Sequence, residues 1–315
     1  MLDEYKNAKR LVIKIGSALL IKDGAINRAR LVGLAQDIDA ARKEGREIIV
    51  VSSGALALGC ARLGLGRSSL SLEQSQAAAA TGQIALVQGW QEALGAYDID
   101  AAQILLTFDN TEEWQGYLNA RGTLQSLIKM GVVPIINEND TVATQELRYG
   151  DNDRLAARVA NMISAECLVL LSDVDGLYTK SPKTNPDEAE HIARVENITD
   201  DILAMGGESD STFGSGGMIT KLAAAKIATE AGCHMILTSG RTTNPLAALE
   251  AGKERRNTIF VAKGTPAISR AVHSNWVAGR LTAARALTAA ESVTIARGAT
   301  THTIASGAEK ALRRG

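Results

Sequence analysis

The sequence predicts a three-layer α/β/α sandwich around a mainly parallel central sheet. Short, continuous apolar runs recur along the chain, each bounded by glycine or polar turn residues. Runs of that length without alternation read as strands buried on both faces. Ala-rich segments with helical spacing separate them, and alternating strand and helix is the pattern of a layered parallel sheet. With 315 residues the chain can bury one large core or two smaller ones without disulfide or metal staples.

Taken in order, the predicted strands are Leu11–Ile15, Glu47–Val51, Ala101–Leu106, Val132–Ile136, Cys167–Leu171 and His234–Leu237. The helical segments between them are Arg28–Glu44, Leu72–Leu94, Tyr117–Met130, Asp153–Ser164 and Thr220–Ala231. Gly45, Gly131 and Gly232 stand where a helix hands over to a strand, as left-handed helix-ending residues do. Tyr178–Pro186 and Gly206–Gly217, rich in Ser, Pro, Asn or Gly, read as surface loops.

Composition removes several classes of function. A formal charge of −1 gives no sequence-wide drive toward nucleic acid or an anionic membrane. Only 3% of residues are aromatic, which also disfavours an RNA-stacking surface. Cys60, Cys167 and Cys233 are far apart, with no CxxC or Cys/His spacing, so neither a zinc site nor a disulfide framework is expected. A reducing, cytoplasmic compartment fits that usage. The first apolar run, Leu11–Ile15, is too short for a signal peptide or a membrane span.

The chemistry collects at strand ends. Lys14 lies near the end of the first strand, which Gly16 and Ser17 follow. A cation beside a glycine turn suits a phosphate, although a strand-end lysine can equally reach solvent. The second strand runs into Ser52-Ser53-Gly54-Ala55, small residues that let a ligand approach the main chain. Asn137-Glu138-Asn139-Asp140 follows the fourth apolar run, and Gly150-Asp151-Asn152-Asp153 comes shortly after. One of these residues could cap a helix. Two such clusters exceed what capping needs, and could bind an amino group, orient lysines or reach a divalent ion. Ser172-Asp173 ends a further strand, where a nucleotide could pass.

Gly214-Ser215-Gly216-Gly217-Met218-Ile219-Thr220-Lys221 precedes an Ala-rich helix. Glycines there let backbone amides close on phosphate at the positive end of the helix. Lys221 would oppose that dipole, which points to an anionic partner. Neither a GxxxxGK[ST] loop nor a GxGxxG fingerprint occurs, so a Walker-type ATPase and a dinucleotide-dependent dehydrogenase are not expected.

Together, Lys14–Ser17, Ser52–Ala55, Asn137–Asp140, Gly150–Asp153, Ser172-Asp173 and Gly214–Lys221 resemble the glutamate 5-kinase branch of the amino-acid kinases, over residues 8 to 266. The resemblance implies the amino-acid kinase fold and transfer of the ATP γ-phosphoryl group to the γ-carboxylate of L-glutamate, the first step toward proline. It implies that Lys14 and Lys221 contact phosphate oxygens and that Asp153 orients both lysines. Ser53, Asn137, Asp140 and Asn152 would hold glutamate. Ser172, Asp173, Ser215, Gly216, Gly217, Met218, Ile219, Thr220 and Lys221 would line the ATP site, with Mg²⁺ arriving on ATP and no direct protein ligand assigned. Feedback by proline and a homo-oligomer are further implications.

A kinase domain is expected over 1–266. The tail, 267–315, resembles the start of a PUA domain at Trp276–Thr282 and Ile304–Gly315, but Ala289–His302 fits poorly. That tail is expected to be truncated or divergent, without an RNA function. Two other readings remain at this point: a kinase of the same fold acting on another carboxylate, and a non-catalytic nucleotide or amino-acid sensor.

Overall fold

The computed structural model describes residues 2–66, 70–143, 152–207, 217–252 and 256–264. Expectations that fall on Ser215, Gly216, Gly150, Asp151 and the tail lie outside these residues.

The strands are β1 (Arg10–Ile15), β2 (Ile21–Lys22), β3 (Ala25–Ile26), β4 (Glu47–Ser52), β5 (Ala101–Leu106) and β6 (Val133–Glu138). They continue with β7 (Cys167–Ser172), β8 (Leu177–Tyr178), β9 (His191–Ile192), β10 (Arg194–Val195), β11 (His234–Ser239) and β12 (Asn257–Phe260). The first helices are α1 (Asp3–Lys6), α2 (Ser17–Leu20), α3 (Arg28–Lys43), α4 (Ala55–Leu63), α5 (Leu72–Gly95) and α6 (Phe108–Glu112). After them come α7 (Trp114–Lys129), α8 (Asn152–Ile163), α9 (Asp200–Ala204), α10 (Met218–Glu230) and α11 (Pro245–Glu250).

Among the described residues eight strands form one sheet in the order β10-β12-β11-β7-β1-β4-β6-β5. Every neighbouring pair is parallel except β11 and β12. The predicted layers are therefore present. One face of the sheet packs on α3, α4, α5 and α11 through residues such as Ile13, Leu34, Leu86, Trp90 and Leu246. The other packs on α7, α8 and α10 through Val12, Val51, Leu124, Leu155 and Leu222. The central strands are apolar and buried on both sides, which is why their sequences run without alternation.

Gly45, Gly131 and Gly232 take the left-handed conformation expected of them, with φ of 84°, 76° and 78°. Several boundaries differ from the sequence reading by one to three residues, and that of β6 bears on the site. β6 does not stop at Ile136 but runs through Asn137 and Glu138, both buried. Polar side chains can stay in a central strand when each finds a hydrogen-bond partner, and Asn137 does so here.

Strand β1 lies at the middle of the sheet. Its register sets Ile15 beside Ser52 of β4 on one flank and beside Leu171 of β7 on the other. The carboxyl ends of β4 and β6 thus lie to one side of Gly16, and those of β7 and β11 to the other. Ligands of open parallel sheets bind outside such carboxyl ends.

Candidate active site

Side chains alternate across a strand, so Lys14 follows Val12 onto the face covered by α8 and α10. There its Nζ lies 2.5 Å from Asp153 Oδ1. The other oxygen of the same carboxylate, Oδ2, is 3.1 Å from Lys221 Nζ. Thr220 Oγ1 lies 3.3 Å from Asp153 Oδ2 and 2.8 Å from the Gly217 carbonyl oxygen, both within reach of its single hydroxyl proton. Lys14 and Lys221 are each 6% exposed and Asp153 1%, so this is an interior cluster rather than a surface ion pair.

The three charged side chains sum to one positive charge. An ion taken out of water carries a penalty of several kcal/mol, offset only by close partners. Two ammonium groups are thus held close together on one carboxylate beside the strand ends. The first turn of α10, whose cap residue Gly217 supplies no side-chain cap, adds the positive end of a helix.

Asn152 and Asp153 open α8, and successive helical residues point about 100° apart. Asp153 therefore meets the lysines while Asn152 turns toward β4 and β6. Asn152 Nδ2 donates to Ser53 Oγ and to Asn137 Oδ1, both at 2.8 Å. Gly54, with φ of 120°, makes the turn that carries Ser53 past the end of β4, a conformation open to glycine and strained for other residues. Asp140 stands in the turn two residues past β6, half-buried. On the other flank Ser172 Oγ donates to Asp173 Oδ1 at 3.1 Å, level with Gly16 across the sheet.

The structure thus brings Lys14, Asp153, Thr220 and Lys221 together, and separately Ser53, Asn137 and Asn152. Gly217, Met218 and Ile219 begin α10 beside the first group. Two contributors were missed in the sequence. Gln83 of α5, 7% exposed, accepts from Asn137 Nδ2 at 2.8 Å. Trp90 of the same helix donates to Ser52 Oγ at 2.9 Å. Both sit inside an Ala-rich helix with no local motif. A polar residue on the buried stripe of that helix was the available signal for Gln83.

Among the described residues no group of three or more His, Cys, Asp or Glu side chains converges as a metal site, and no helix is long and apolar enough to cross a membrane.

The amino acid kinase family model matches residues 9–239. Among curated relatives, the glutamate 5-kinase of Rhodopseudomonas palustris (strain BisA53) is 53% identical over 282 residues, covering 89% of this chain and 73% of that protein. The glutamate 5-kinase of Agrobacterium fabrum is 54% identical over 273 residues, covering 86% and 69%. Solved structures share the fold at much lower identity. A Giardia carbamate kinase matches with a TM-score of 0.57 at 17% identity, over 81% of this chain and 99% of that one. The UMP kinase of Ureaplasma parvum matches with a TM-score of 0.55 at 17% identity, over 80% and 98%. The chain belongs to the amino acid kinase family and, among its members, to the glutamate 5-kinases.

Proposed function

We propose that this protein transfers the γ-phosphoryl group of ATP to the γ-carboxylate of L-glutamate, giving L-glutamyl 5-phosphate and ADP, in the first step of proline biosynthesis. The observation that carries the reading is the buried Lys14–Asp153–Lys221 cluster set between two groups of ligand-binding type. It joins the names of relatives at 53% and 54% identity.

A γ-carboxylate is already ionised near neutral pH, since such acids titrate near about 4.3. No general base is needed, and none of the site residues is a histidine. A carboxylate oxygen attacks the γ-phosphorus, and the bond from that phosphorus to the oxygen shared with ADP breaks. The barrier is repulsion between two anions and the charge that spreads over the transferring group. Lys14 and Lys221 meet that charge, and Asp153 fixes both ammonium groups so that they need not reorganise during transfer. Ser53, Asn137, Asp140 and Asn152 hold the amino acid. Ser172, Asp173 and the residues from Ser215 to Lys221 hold the nucleotide. Mg²⁺, carried on the triphosphate, neutralises phosphate charge.

Residues 1–266 form the kinase domain in this reading, and 267–315 a tail outside it. A cytoplasmic homo-oligomer inhibited by proline completes it. Gel filtration and a proline titration test these last points: a strict monomer, or activity indifferent to proline, removes them.

The reaction is tested by following ADP release from Mg·ATP with L-glutamate while trapping the acyl phosphate with hydroxylamine. Aspartate, N-acetylglutamate and no acid serve as controls. Glutamate-dependent ADP and hydroxamate together are expected. Turnover with a different acid alone would keep the chemistry and overturn the substrate.

A further inference from the structure

Resting on the glutamate reading above, we infer that Gln83 is a positioning residue that sets how the site recognises the α-amino group of its substrate. Four side chains, from α5, β6, α8 and the turn after β4, form a continuous relay. Asn137 Nδ2 donates to Gln83 Oε1, and Asn152 Nδ2 donates to Asn137 Oδ1 and to Ser53 Oγ, each at 2.8 Å. A primary amide can be turned end for end, so such a relay has two possible polarities. The backbone removes one of them. The Glu138 N–H donates to Asn137 Oδ1 at 2.9 Å, and a backbone N–H can only donate. The oxygen of Asn137 must therefore face Glu138 and Asn152, and its nitrogen must face Gln83.

The consequence reaches the substrate side. With its nitrogen committed to Asn137 and Ser53, Asn152 is left with Oδ1, an acceptor. Ser53 Oγ, already accepting, keeps its hydroxyl proton to donate. An acceptor beside a donor matches an α-ammonium beside an α-carboxylate. Without an acceptor at position 83, the Asn137 nitrogen would be a buried donor lacking its bond, a state that drives a side chain to turn elsewhere. Asn152 would then lose the partner that fixes its orientation.

Gln83 is itself placed by close packing. A Cβ at Gly82 would stand 1.9 Å from the Ala55 carbonyl oxygen, and one at Gly59 would stand 1.6 Å from that of Ala78. Backbone meets backbone where α5 crosses α4, and α4 begins directly after the Ser53 turn. Two turns further along α5, Trp90 holds Ser52. Among the described residues Gln83 Nε2 is buried with no hydrogen-bond partner, and the Oε1 bond to Asn137 is what its amide contributes there.

The test compares Gln83→Met, which fills the space with only a weak thioether acceptor, with Gln83→Glu, which restores acceptor oxygens. Steady-state KM is measured for L-glutamate and for ATP, after wild-type turnover with glutamate has been established. If the wild type does not use glutamate, the function reading fails by itself. With an active wild type, Gln83→Met is expected to raise the glutamate KM about tenfold or more while the ATP KM stays within about twofold. Gln83→Glu is expected to stay within about threefold of wild type on both. An unchanged glutamate KM in Gln83→Met would overturn the inference, as would an equal rise for ATP. Equal impairment in Gln83→Glu would overturn it too. Should Gln83→Met not fold, Gln83→Ala, which deletes volume instead of replacing it, is read by the same criteria.

Discussion

Asp153 decides the electrostatics of the site. One carboxylate, 1% exposed, holds two ammonium groups from different elements. Replacing Asp153 by Asn keeps the shape and removes the charge, leaving both lysines buried without that counterion. Breaking a buried pair in this way costs about 3–5 kcal/mol. Urea unfolding of Asp153→Asn is expected to show a loss of that order, together with a fall in kcat of about 100-fold or more. Wild-type stability in this variant would mean that the lysines are balanced by other groups. At this scale the sequence was informative where chemistry lies in short strings at strand ends, as with Lys14, Ser53 and the Asn152-Asp153 pair. It carried no motif for Gln83 or Trp90, because a hydrogen bond from mid-helix to a distant strand leaves no local pattern beyond, for Gln83, a polar residue on a buried stripe.

Between elements, the crossing of α4 and α5 controls how the Ser53 turn meets the relay. Gly82→Ala places a methyl group 1.9 Å from a backbone oxygen, so the helices must separate. Overpacking of this kind costs about 1–3 kcal/mol, and thermal unfolding of Gly82→Ala is expected to show it along with a raised glutamate KM. Unchanged stability would show that the crossing yields freely. A second inter-element device lies on the opposite flank. Asp37 of α3, 4% exposed, accepts from the Leu246 N–H at 2.8 Å and from Asn244 Nδ2 at 3.1 Å. It thereby caps α11 from another helix. Asp37→Ala is expected to cost about 1–2 kcal/mol in urea unfolding, the range of a lost cap, and to leave kcat within about twofold of wild type. A large fall in kcat would tie α11 to catalysis.

Over the whole molecule, six strands of the main sheet and five long helices were legible because a parallel sheet writes each strand as an apolar run, and Ala-rich segments with helical spacing separate them. The edge formed by β10 and β12 was not. β10 has two residues and β12 four, and at that length pairing rather than pattern makes the strand. β6 was read two residues short because buried asparagine and glutamate look like loop residues until their partners are known. The same edge carries a pH dependence. His234 opens β11 and accepts from the Ala262 N–H at 3.1 Å. Burial lowers its pKa, with Arg194 acting the same way and Glu4 and Glu196 opposing. Burial likewise lowers that of His191. The folded state then binds fewer protons than the unfolded one, whose histidines titrate near about 6.5. These histidines contribute stability that is present above that value and lost as pH falls through the lower folded values. The urea midpoint is expected to fall between about pH 7.5 and 5.5, less so in His234→Gln. An equal fall in that variant would place the effect elsewhere.

If the buried lysines serve phosphoryl transfer, removing the charge of Lys221 slows turnover far more than it weakens the fold. Lys221→Met keeps the aliphatic length and removes the charge. With saturating Mg·ATP and L-glutamate, its kcat is expected to fall by about 100-fold or more while its unfolding temperature stays within a few degrees of wild type. A kcat within about twofold of wild type, in protein shown to be folded, would contradict the account.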